Sequence, residues 1–107
     1  MHHVHDAVGL ALARRIAEGL VAHPEWIGLA KANLQRWSAQ NAHAPRLLNC
    51  YKEWQAILDR PIDQIRQVLL EDSDDGQRLR QNSPFAGILP PADVQQLKRD
   101  VHATTST

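Results

Sequence analysis

The chain is 107 residues long, which fits one domain with one modest core. Twelve basic side chains balance twelve acidic ones, so the basic excess needed to hold a nucleic-acid backbone is missing, and near-neutrality at pH 7 favours association. The single cysteine, Cys50, excludes an internal disulfide and fits a reducing cytoplasm; no run reaches the roughly 18 apolar residues of a membrane span, and no secretion signal opens the chain.

Taken in order, the chain begins with His2, His3 and His5. Loose terminal imidazoles do not make a fixed metal site, and no metal or cofactor is expected. A first helix is predicted from about Val4 or Asp6 to Val21. Val8, Leu12, Ile16 and Leu20 recur every four residues, and Leu10, Ala13, Ala17 and Val21 widen the stripe. His23-Pro24-Glu25 reads as a helix start, with Pro24 at the first position. That second helix reaches about Ala39 and places Ile27, Ala30, Leu34 and Trp37 on one face. Pro45 opens a third helix ending near Leu58, with Leu47, Cys50, Tyr51, Trp54, Ile57 and Leu58 at clean helical spacing. Cys50 reads as a small apolar residue in that seam, and Trp26, Trp37 and Trp54 as core pillars. Asp59 is expected to cap a fourth helix, with Pro61 in its first turn, Ile62, Ile65, Val68 and Leu69 inside, and Asp63, Gln64, Arg66 and Gln67 outside.

The least generic stretch is GQRLRQNSPFAGILPP, residues 76–91. Ser73 is a good N-cap for a short helix whose first turn carries Asp74 and Asp75, where the helix dipole favours negative charge. Pro84 pushes Ser83 out of the α region, so this helix ends by about Asn82. Phe85, Ile88 and Leu89 then form an apolar cluster on a non-helical turn, with Gly87 supplying a special backbone angle. Two roles fit the stretch. One is a plug for the end of a bundle. The other is a recognition element presenting Arg78, Arg80, Gln81 and Asn82, with Phe85 as an anchor wherever it is not buried at home. Pro91 opens a last helix to about His102, with a narrow Val94, Leu97 and Val101 stripe. That helix can pack loosely, swap onto another subunit or order on a partner, and residues 103–107 read as a disordered tail.

The run Leu79-Arg80-Gln81-Asn82-Ser83-Pro84-Phe85-Ala86-Gly87-Ile88-Leu89 resembles the near-terminal motif of a family of small all-helical bacterial proteins. Weaker likeness extends to Asn33-Leu34-Gln35-Arg36-Trp37 and to Glu53-Trp54 with Ile57-Leu58. The tail departs from the aromatic, basic ending of that family. The resemblance implies an all-helical fold and an accessory or antitoxin-like role beside a larger partner, and it carries no catalytic residues.

The expectation is therefore an all-α, compact bundle of five to six short helices without a sheet, a single domain over residues 1–102. No nucleophile with its base, carboxylate pair or phosphate-cradling glycine loop is apparent, so an enzyme is not expected. A protein partner bound through residues 76–91 is the favoured function, with a homodimer as a further expectation. The alternative is a DNA-binding module in which Gln77 and Arg78 open a recognition helix. Glu71, Asp72, Asp74 and Asp75 would repel phosphate there.

Overall fold

The structure, a computed structural model, describes residues 4–105. These form six helices: α1 Val4–Ala22, α2 Trp26–Gln40, α3 Pro45–Leu58, α4 Ile62–Leu70, α5 Asp74–Arg80 and α6 Pro91–Thr105. No strand occurs among the described residues. The all-α bundle expected from the periodicity is the fold observed. His2 and His3, and the side chain of His5, lie outside the described residues, as do Ser106 and Thr107.

Helix α1 is the axis of the bundle, packing against α4, α5 and α6, while α2 lies on α3. Its inward stripe of Leu10, Ala13, Ile16, Ala17 and Leu20 is buried, because residues three and four apart share one face of a helix. Small residues in that stripe let neighbouring backbones come close. Arg66 of α4 uses this: its Nε donates to the Ala17 carbonyl at 2.8 Å. Arg66, expected outside, is half-buried for that reason. Val21, assigned to the inner stripe, is instead 66% exposed. It sits in the last turn of α1 just before the chain turns away at His23, so no helix covers it.

Residues 23–25 form a turn rather than the first residues of α2. The Trp26 N–H donates to the His23 carbonyl at 3.0 Å, and the helix ladder starts beyond it. Asp59 does not cap α4. It ends α3 and pairs with Lys31 at 3.1 Å. Pro61 takes the N-cap position with ψ 151°, and its carbonyl accepts from the Gln64 and Ile65 N–H groups. Proline, with φ already near the helical value, ends the extended residues and leaves its carbonyl free to begin the ladder.

Ser73 caps α5 as expected: its Oγ accepts from the Gly76 N–H at 3.0 Å. The last helix docks on α1 of its own chain through half-buried Val94 and Leu97. It stays helical to Thr105, so residues 103–105, expected in the tail, continue it.

Trp54, at the centre of α3, is fully buried, with Leu20, Leu34, Ile65, Leu69 and Pro84 the other large side chains sealed from solvent. Trp26 and Trp37 are only partly covered. One of the three tryptophans is thus a core pillar, and Trp37 is left bordering the site described next.

Candidate functional site

Helix α5 is short, and three contacts fix it. The Leu79 carbonyl, in its last turn, has no partner within the helix. It accepts from the Trp54 indole Nε1–H at 3.1 Å and from the Asn82 N–H at 3.2 Å, which satisfies an acceptor a helix end would otherwise leave open. Arg80 Nη1 donates to the Glu71 carbonyl at 2.6 Å, bridging the α4–α5 junction. Gly76 lies against that same carbonyl, where a Cβ would stand well inside contact distance.

The turn that follows is held as firmly. Phe85 is 3% exposed and meets the Trp54 ring edge-on, with centroids 6.3 Å apart. Leu89 is buried and Ile88 half-buried beside it. Asn33 of α2 donates from Nδ2 to the Pro84 carbonyl at 2.8 Å and lies 3.4 Å from that of Ala86. Its Oδ1 in turn accepts from Arg36. Gly87 adopts φ 82°, a left-handed conformation open to glycine at little cost. The plug reading of this turn is therefore what the packing shows for Phe85 and Leu89.

Behind the turn is a cleft of about 440 Å³. Its apolar walls are Gly9, Leu12, Ala13 and Ile16 of α1, together with Trp37, Phe85, Leu89 and Val94. Polar groups enter from two places: Asn41 and Tyr51 on one hand, and the Arg80–Ser83 stretch on the other. Asn41 Nδ2 donates to the Trp37 carbonyl at 2.9 Å and to the Tyr51 hydroxyl at 3.3 Å. The Trp37 and Tyr51 rings lie tilted, 5.9 Å apart. Among the described residues, Arg80 is the charged side chain of this lining.

Of the five residues expected to meet a partner, Arg80, Gln81, Asn82 and Phe85 line the cleft, and Arg78 does not. Phe85, buried at home, is a wall of the site rather than a projecting anchor. Arg78 turns the other way. Its Nη1 and Nη2 fork onto the Glu53 carboxylate, both at 3.0 Å, and its Nε and Nη2 reach Asp75 Oδ1 at 3.0 and 2.8 Å. Hydrogen bonds from Glu53 first, then Asp75, hold the guanidinium above its ordinary pKa, so it stays charged. This planar, two-point grip is one lysine could not reproduce.

Cys50 is buried in the α3 seam. Burial pushes its thiol pKa up, and the Glu53 carboxylate adds to that. Both effects disfavour the thiolate, the reactive species. We expect iodoacetamide at pH 8 to modify Cys50 roughly tenfold slower in the folded chain than in urea-unfolded chain. Comparable rates, followed by mass spectrometry, would show an open thiol.

Gly9, Trp37, Asn41 and Tyr51 were not singled out as site residues from the sequence. Gly9 alone left a trace there, a glycine inside a helical stripe. No protein-family model, curated protein or solved structure matches the chain.

Proposed function

We propose that this chain is a non-enzymatic interaction protein, accessory or antitoxin-like, that binds a partner protein through the 76–91 segment. The observation that carries the reading is the rigid presentation of that segment. Its apolar side chains Leu79, Phe85 and Leu89 are sunk into the bundle, while Gln81, Ala86, Gly87 and Pro90 stay exposed on a backbone pinned by Trp54 and Asn33. A surface ordered before contact loses little conformational freedom on binding, which favours affinity. The likeness of residues 79–89 to the motif of the small helical family supports the same reading.

The DNA-binding alternative gains less support. Although three residues separate α4 from α5, Arg78 is already forked onto Glu53 and Asp75, and Gln77 is half-buried.

The test uses two exposed positions whose change leaves the core alone. Wild-type chain carrying an affinity tag should retain a stoichiometric protein from an extract of the source organism. A Gln81→Glu, Ala86→Arg variant should retain at least about tenfold less, since one buried charge mismatch at an interface costs over ~1.4 kcal/mol. Equal retention, with unchanged far-UV circular dichroism, would remove this segment as the binding surface.

A further inference from the structure

We infer that the cleft behind the 80–89 turn binds an uncharged, mostly apolar small molecule carrying one hydrogen-bond-accepting oxygen, a ketone being the simplest case. The inference goes beyond the partner-protein reading, because it concerns the interior of the cleft rather than the outer face of the turn, and it is tested on the isolated chain.

The first observation is a buried hydroxyl whose proton is unspent. Tyr51 is 5% exposed and lines the cleft beside Asn41 and Trp37. A phenol both accepts and donates a hydrogen bond. The Tyr51 oxygen accepts from Asn41 Nδ2 at 3.3 Å, and among the described residues no acceptor takes its proton. The direction of that bond is fixed. Asn41 Nδ2 also donates to the Trp37 carbonyl at 2.9 Å, and a carbonyl only accepts, so the nitrogen of the amide faces both partners. The donor side of the Tyr51 hydroxyl is left for an oxygen that enters the cleft.

The second observation concerns charge. Arg80, the charged side chain of the lining among the described residues, is already engaged. Its Nη1 donates to the Glu71 carbonyl, and the side chain has a further interaction besides. An ion entering the cleft would lose its hydration with no free opposite charge to replace it. A neutral oxygen costs far less to bury, and Tyr51 offers it a hydrogen bond.

The third is space. The cleft volume of about 440 Å³ falls within the roughly 300–1,000 Å³ of small-molecule sites, which are concave and mostly apolar with a few placed polar groups. Leu12, Ile16, Phe85 and Val94 supply apolar wall. A Cβ at Gly9, in the same wall, would meet nothing within 4 Å. That open volume takes the apolar body of the ligand, and half-buried Trp37 reports occupancy through its indole.

The experiment is titration of the full chain, labelled with ¹⁵N, with acetophenone, ethylbenzene and sodium benzoate in turn. Acetophenone should give saturable shifts concentrated on the amides of Gly9, Asn82 and Gly87 and on the Trp37 indole. Benzoate, similar in shape but charged, should bind at least about tenfold more weakly. Tyr51→Phe keeps the ring and removes the hydroxyl. It should weaken acetophenone about fivefold, the worth of one neutral hydrogen bond, and leave ethylbenzene, which has no oxygen, unchanged. Gly9→Phe, which grows into the open space, should abolish binding of both while leaving distant resonances in place. Shifts scattered over the surface, lack of saturation, or full binding by Gly9→Phe would overturn the site. If Gly9→Phe does not fold, the wild-type and Tyr51→Phe titrations still decide the question. Benzoate binding as tightly as acetophenone would overturn the uncharged class. Unchanged acetophenone affinity in Tyr51→Phe, or an equal loss for ethylbenzene, would overturn the assigned donor.

Discussion

Replacing Trp54 with alanine is expected to cost about 3–5 kcal/mol of folding free energy, the range for emptying a buried aromatic site. Small domains have only about 5–15 kcal/mol in total, so the variant should sit near the edge of folding at 25 °C. Two features place this position first. Trp54 is fully buried at the centre of α3, so its truncation opens a cavity in the core. It also carries a polar task, because its indole N–H satisfies the Leu79 carbonyl and its ring supports Phe85. Trp54→Phe separates the two. Phenylalanine keeps most of the ring contact and loses the donor, leaving the Leu79 carbonyl to its backbone partner Asn82, so it should cost about 0.5–1.5 kcal/mol, the range for one net hydrogen bond. Urea unfolding followed by far-UV circular dichroism measures both. A loss below about 1 kcal/mol for Trp54→Ala would show that the core does not rest on this ring.

Gly76→Ala is expected to destabilise, against the usual rule that alanine improves a helix by about 1 kcal/mol over glycine. A methyl group at 76 would collide with the Glu71 backbone carbonyl and stand 3.1 Å from Arg80 Nη1. The first is main chain and cannot swing aside, so the α4–α5 junction must open. Crowding of this kind costs about 1–3 kcal/mol, occasionally more. It also disturbs the Ser73 cap and the Arg80 bridge at once. Gly28→Ala is the internal control. Gly28 is an exposed residue of α2 with open space around it, so the same change there should stabilise by about 0.5–1 kcal/mol. The opposite signs are the result expected from paired unfolding curves. Matching gains at both positions would mean that α5 is not held against Glu71 as described.

Much of the helix pattern is legible in the sequence. Pro45 and Pro91 open their helices where a proline is tolerated, Ser73 caps where a short polar side chain is needed, and the Cys50–Leu58 spacing marks a buried face. These features are local, and each needs only a few neighbouring residues. The contacts that shape the site are not local. Arg78 meets Glu53 across 25 positions, Arg66 meets Ala17 across 49, and Asn33 meets Pro84 across 51. Periodicity says which face of a helix is wet, and gives no hint of which acid will stand opposite an arginine. Arg78 looked available on the chain for that reason, and Phe85 looked equally able to project or to bury. The cleft was illegible on the same grounds, since its wall joins Gly9 to Trp37 and to residues 80–89. Polar Asn33, set between inward-facing Ala30 and Leu34, hints at the contact that holds the turn rather than at the cleft.

The central place of α1 has a consequence for how the protein is made. The helix leaves the ribosome before α2 and α3, yet the helices it packs against, α4, α5 and α6, come only after both of these. During synthesis its apolar stripe must wait, uncovered, while α2 and α3 emerge and pair with each other. Nascent chains in that condition are prone to aggregate and are typical clients of chaperones that shield greasy segments.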